Sequence, residues 1–137
     1  MIVYNNEIDF KLEYSEKVSN WISEVIVNEG CEEGEINYIF CSDDSLLKKN
    51  IKFLNHNTLT DIISFDYTMG KLISGDIFIS IDRVIENAKA FKVSFSDELN
   101  RVMVHGILHY CDYKDKSKEE KKLMRSKEDY YLSLRKF

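Results

Sequence analysis

Residues 104–115 read "VHGILHYCDYKD" and hold two of the chain's three histidines, His105 and His109, four positions apart. On a helix, four residues rise about 6 Å and turn about 40° past a full revolution, so the two imidazoles project side by side. From that separation two ring nitrogens can reach one tetrahedral ion. The same spacing also suits two half-buried histidines that hydrogen-bond carboxylates or backbone carbonyls. The pair alone therefore leaves both readings open.

The residues after the pair favour a metal. The helix should end near Cys111, and Asp112 can adopt the left-handed conformation that a chain reversal needs, though less comfortably than glycine. A reversal there carries Asp115 back toward the rings, which sets a spacing of His, four, His, six, carboxylate. Gly106 sits between the histidines at a cost of about 1 kcal/mol relative to Ala in a helix interior. Close approach of another backbone or of a ligand would explain it. Gly106 also argues against one chemistry. Metalloproteases of the HExxH type carry a glutamate base directly after the first histidine, and Gly106 has no side chain to take a proton. Two imidazoles and a carboxylate with an open fourth position suit Lewis-acid catalysis, with His105 and His109 as the catalytic metal ligands. Glu98, seven residues before His105 on about the same helix face, is either a partner or base for that site or a solvated carboxylate.

The elements that must position these residues are legible in the apolar spacing. "MIVYNNEIDF" reads as a first strand and "EINYIFCS" as a second. Between them Val18, Trp21, Ile22, Val25 and Ile26 mark an amphipathic helix, with Ser15 as its expected cap and Gly30 as its stop. "SDDSLLKKNIKFL" predicts a short helix capped by Ser42, and "NHNTLT" a loop that contains the third histidine, His56. "DIISFDY" and "GDIFISI" predict two further strands joined near Gly70. "DRVIENAKAF" gives a third helix, with Val84, Ile85, Ala88 and Phe91 on one side. "SFSDELNRVMVHGILHYC" gives a fourth, with Ser94 and Asp97 at its start and Leu99, Met103, Ile107 and Tyr110 as its apolar face. A charged helix over about residues 117–135 should dock through Leu123, Met124 and Leu132. Early strand–helix–strand order permits parallel pairing, and the later strand–strand step suggests antiparallel pairing. The expectation is an α+β fold with a mixed four-stranded sheet and about five helices, in a single domain over 1–137.

Composition narrows the setting. The 137 residues are 44% hydrophobic and 31% charged, with a net charge of −5. That balance predicts a folded domain with a core. The longest apolar stretches, such as "VMVHGILHY", fall short of the roughly 20 residues that span a bilayer. No basic segment followed by an apolar block opens the sequence, so no export signal is expected. Cys31, Cys41 and Cys111 are odd in number and form no CxxC, which predicts reduced thiols in a cytoplasmic protein. An acidic total disfavours a nucleic-acid partner, but the charge is uneven. Residues 1–113 carry 10 Lys/Arg against 19 Asp/Glu, whereas residues 114–137 carry 9 against 5. The basic segment lies directly after the histidine pair, as a solvated helix face or as a guide for a phosphate backbone.

The motif is also familiar. "HGILHYCDYKD" resembles the H-G-x-L-H-x-x-G-Y-D-H signature of the YbeY family, bacterial metal-dependent endoribonucleases concerned with ribosomal RNA maturation. "TDIISFDY" is similar to that family's T-D-V-L-S-F-P strand and "SGDIFIS" to its L-G-D-I-x-I-S strand, and "DELNRVMVHG" matches the usual lead-in. Order and spacing agree over about residues 45–128. The resemblance implies one zinc ion, or another divalent transition metal, on His105, His109 and the residue at 115. The family has a third histidine there, and this chain has Asp115, a workable zinc ligand. Two imidazoles and one carboxylate leave the ion a formal +1 rather than +2, a weaker Lewis acid. A higher-pH activity optimum than that of a three-histidine relative is expected.

The resemblance further implies cleavage of single-stranded RNA, a precursor of ribosomal RNA, in 3′-end maturation of the small-subunit RNA and ribosome quality control. The ribosome or its small subunit would be the partner. Thr60, Ser64 and Asp76 would help shape the substrate cleft. The family's loop arginine falls on Leu54, so Lys52 and the basic tail are the expected phosphate contacts. An alternative role is a ribosome-assembly or ribosome-associated protein with a structural metal and little nuclease activity. A metal-dependent hydrolase of another substrate is a third.

Overall fold

The structure, a computed structural model, describes all of residues 1–137. Its elements run β1 (Ile2–Asn6), α1 (Ser15–Asn28), β2 (Glu32–Cys41), α2 (Asp43–Leu54), β3 (Ile62–Asp66), β4 (Leu72–Ser80), α3 (Ile81–Phe91), α4 (Phe95–Tyr110) and α5 (Lys118–Ser133). The strands form one sheet in the order β1-β2-β4-β3. β1 and β4 run parallel to β2, and β3 runs antiparallel to β4. The fold is α+β with a mixed four-stranded sheet and five helices, as the sequence predicts. No helix is long and apolar enough to cross a membrane.

Strand alternation sorts the two faces of the sheet. Ile36, Tyr38 and Phe40 of β2 and Ile73, Ile77 and Ile79 of β4 join side chains of α1, α3, α4 and α5 in a core of 23 buried residues. The alternate positions point the other way. There Cys41, Leu46 of α2 and Ile63 of β3 make a separate core of 3, with Phe65 and Phe78 packed on it.

Side-chain caps fix most helix starts. Ser42 accepts from the Ser45 amide at 3.1 Å, and Ser94 from the Asp97 amide at 3.0 Å. Ser117 and Glu120 exchange bonds in a full capping box at the start of α5. The start of α1 differs from expectation. Ser15 is the first helical residue, and the cap position is Tyr14, left-handed at φ 55 with no side-chain cap bond. The chain turns into α1 at Tyr14, so the serine is already inside the first turn. Two apolar faces also differ. Met124 and Tyr131, seven residues apart, dock α5, and Leu132 packs partly against them. Leu123 is half exposed because one residue of helix turns it about 100° from Met124. On α3, Val84 and Ala88 are buried while Ile85 and Phe91 face outward.

Helix α4 is held to the sheet along one side. The Tyr38 hydroxyl donates to the Met103 carbonyl at 2.9 Å, and the Tyr110 hydroxyl donates to the Phe65 carbonyl at 3.0 Å. Between them, a Cβ on Gly106 would stand 3.1 Å from a methyl of Ile77 and 3.2 Å from one of Ile62. Gly106 therefore marks a close approach of the helix to side chains of the sheet, not to a backbone or a ligand. Gly75 is needed for the same seam, since a Cβ there would overlap the Tyr110 hydroxyl and the Phe65 carbonyl. With that side fixed, Glu98, Arg101, Val102, His105 and His109 line a cleft on the other.

Candidate metal centre

His105 Nε2 and His109 Nε2 are 2.9 Å apart, and Asp115 Oδ2 lies 3.2 Å from each. These residues form the group of ligating side chains close enough to share one ion. Asp112 makes the reversal that brings Asp115 back, at φ 73, immediately after α4 ends. The loop is tied down on its far side, where the Tyr113 hydroxyl donates to Glu29, the residue that caps the end of α1, at 2.7 Å. Tyr131 and Lys127 of α5 meet the same carboxylate.

Protons decide what the triangle can hold. His105 Nδ1 faces Glu128 Oε2 at 2.6 Å, and His109 Nδ1 faces the Tyr113 carbonyl at 2.9 Å. A carboxylate and a carbonyl only accept, so each ring carries its hydrogen on Nδ1. In the neutral tautomers both Nε2 lone pairs then converge with a carboxylate oxygen, and no hydrogen lies among them. Three acceptors at this range call for a positive charge. Consistent with that, burial opposes protonation of His105, yet the bond and charge of Glu128, with Asp115 and Asp61, outweigh it and raise the pKa. A tetrahedral zinc with ligands at about 2.0–2.1 Å sets neighbouring donors about 3.3–3.4 Å apart. The observed triangle is a few tenths of an ångström tighter, and its donor set of two imidazoles and one carboxylate is a zinc set. The residues fit the ion.

The outer partners are as specific as the ligands. Glu128, 5% exposed on α5, is gripped from the other side by Arg101 at 3.0 Å, whose second nitrogen donates to Asp129 at 2.7 Å. This fork locks α5 onto α4 and sets the orientation of His105. Arg125 stands 3.8 Å from Glu128 and lines the cleft with Lys121. The cleft encloses about 590 Å³.

Thr60 and Ser64 line this cleft, beside Asp61 and Ile62. Lys52 and Asp76 do not. Asp76 lies on β4 between Gly75 and Ile77, so alternation turns it to the opposite face, where it accepts from Asn37 at 2.9 Å and from Tyr67 at 3.4 Å. Lys52 belongs to α2 on that same opposite face and stands over the Phe53 ring. His56 and Leu54 are exposed near the end of α2, outside the cleft lining. Cys111 caps α4, and burial, with Cys31 beside it, holds its thiol far above the usual range, so it carries no thiolate toward the site. All three cysteines are free.

Arg101 and Glu128 were not expected at the cleft. Arg101 is four residues before His105 and so shares its face, a signal the helix period carries. Glu128 carried none, since it sits in a run of charges that looks solvated. Glu98 is buried, at 4% exposure, rather than a solvated carboxylate. Burial raises its pKa, with Asp61 adding to the shift and Arg101 opposing it. Asp61 is raised by its own burial, against the pull of His105.

Comparison with known proteins finds relatives over nearly the whole chain. Residues 2–135 match the family profile described as endoribonuclease YbeY. A protein of Flavobacterium johnsoniae named endoribonuclease YbeY is 59% identical over 134 residues, which cover 98% of this chain and 96% of the relative. One of Flavobacterium psychrophilum with the same name is 60% identical over the same shares. A solution structure of a protein from Thermotoga maritima superposes with a TM-score of 0.67 at 27% identity, covering 97% of this chain and 87% of that one.

Proposed function

This chain belongs to the endoribonuclease YbeY family, and on that premise we propose that it is a zinc-dependent endoribonuclease of single-stranded RNA. His105, His109 and Asp115 are its metal ligands, and the whole chain acts as one catalytic domain. The convergence of two imidazole nitrogens and a carboxylate oxygen at the wall of an open cleft carries this reading. When bound, zinc supplies Lewis-acid polarisation of a phosphoryl oxygen. The protein's own groups do the rest. Glu128 and Arg101 keep His105 in the tautomer whose lone pair points inward. Arg125 and Lys121 offer positive charge to the phosphates, which answers the leucine at position 54 and takes the place expected of Lys52. Thr60 and Ser64 offer hydroxyls along the strand's path.

The substrate assigned is a ribosomal RNA precursor, cut in 3′-end maturation of the small-subunit RNA and in ribosome quality control in the cytoplasm, with the ribosome or its small subunit as partner. A second role, ribosome assembly with a structural metal, is favoured by the absence of an arginine at position 54. Against it, a structural zinc is closed by four protein ligands, whereas the group here has three.

Metal analysis of protein purified without chelators, paired with cleavage of a single-stranded RNA by wild type and His109→Ala, decides between these. A single ion per wild-type chain, cleavage by wild type and none by the variant are expected. Full activity in the variant, or none in metal-replete wild type, would remove the nuclease assignment.

A further inference from the structure

The cleft continues past the metal centre toward α3, and the side chains at that end have no task in the chemistry above. Asn87 and Phe91, four residues apart on α3, share one helix face and both line the cleft. Phe91 is 57% exposed. The same cleft is lined by Glu98 near the start of α4, joined to α3 by the short turn through Lys92 and Ser94. Glu98 is only 4% exposed and lines the cleft, and its carboxylate has no hydrogen bond or ion pair within the protein. No fully enclosed side-chain oxygen lacks a partner in this protein, so the Glu98 carboxylate meets only the solvent that the cleft admits. A ligand that brought two donors would take the place of that water.

We propose that Phe91, Asn87 and Glu98 form a nucleobase subsite that selects guanine. It rests on the reading of this chain as a ribonuclease and adds a base preference to it. An aromatic face lets any base stack, without choosing among them. The choice comes from Glu98, whose ionised carboxylate only accepts hydrogen bonds. Among the four RNA bases, guanine alone offers a carboxylate two adjacent donors on its Watson–Crick edge, N1–H and the 2-amino group. Adenine and cytosine set one amino group beside an acceptor nitrogen, and uracil sets one N–H between two carbonyls. Asn87 adds an amide donor for the guanine carbonyl. Glu98 lies about 10 Å along α4 from His105. A base held there therefore belongs to a nucleotide neighbouring the one whose phosphate reaches the metal.

Mononucleotides contain no phosphodiester bond, so the subsite can be probed on the metal-loaded protein without cleavage. Guanosine, inosine and adenosine 5′-monophosphates are titrated by calorimetry and by amide chemical shifts. Inosine lacks only the 2-amino group, and any phosphate contact is common to all three. Guanosine monophosphate should bind about tenfold more tightly than either, the scale of one hydrogen bond to a charged group, with shifts centred on Asn87 and Phe91. Glu98→Gln should erase the preference. Phe91→Ala, at an exposed position, should weaken all three ligands by about tenfold. Equal binding of the three nucleotides, or a preference that survives Glu98→Gln, overturns the subsite. RNA cleavage without a nucleotide preference would overturn the subsite alone, and a nucleotide preference without cleavage would overturn the nuclease reading alone.

Discussion

The two faces of the sheet are built to different standards. On one, 23 buried residues from four helices, two strands and Leu12 lock together, and the candidate metal centre stands on α4 at the edge of that mass. On the other, a core of 3 residues lies beneath α2, and Ile51, Phe53 and Leu54 of that helix are about half exposed. Metal ligands must be held within a few tenths of an ångström, which needs a backbone fixed by packing beneath them and rings held by outer hydrogen bonds. The thick face supplies such support through Tyr38, Gly106 and Tyr110 along α4. The thin face has Lys52 and Asp76, whose partners are a phenylalanine ring and the polar side chains of Asn37 and Tyr67. Placement on the thick face, rather than residue type, separates the site from the remainder.

The sharpest way to break this comparison is to open a void on each face. Ile77→Ala removes a side chain that is fully buried under α4 and should cost about 2–5 kcal/mol. Leu46→Ala, under α2, should stay near the lower end of that range because a thin core collapses more easily. Urea denaturation of both variants measures the difference, and equal costs would contradict it. A smaller effect is expected at the seam between α4 and α5. Glu128→Gln keeps the shape but withdraws the charge that orients His105, so zinc affinity should fall about 10–100-fold, read by competition with a chelator. Unchanged affinity would make Glu128 a packing residue only. Least of all, Ile51→Ser on the thin face should alter stability by no more than about 0.5 kcal/mol and leave RNA cleavage intact. A loss of cleavage there would mean that the thin face takes part in substrate binding.

Much of this was legible in the sequence because it depends on local period. Four-residue spacing put His105 and His109 together, and the reversal at Asp112 needed only a residue tolerant of positive φ. The same rule applied to β4 would have turned Asp76 away from its apolar neighbours Ile77 and Ile79. The serine caps at 42 and 94 obeyed local chemistry as well. Ser15 did not, because the capping geometry belongs to whichever residue the incoming chain leaves outside the helix, and that residue is Tyr14.

The sequence by itself determined the candidate ligand set, since three donors within eleven residues are brought together by one helix and one turn. Only the tertiary structure decided what stands around them. Glu128 reaches His105 across 23 positions, and Thr60 and Ser64 arrive from β3 and the loop before it. Burial of Glu98 results from how α3, α4 and α5 close on one another. Short-range periodicity fixes which side chains share a face, while packing between distant elements decides which faces meet and which charges lose their water.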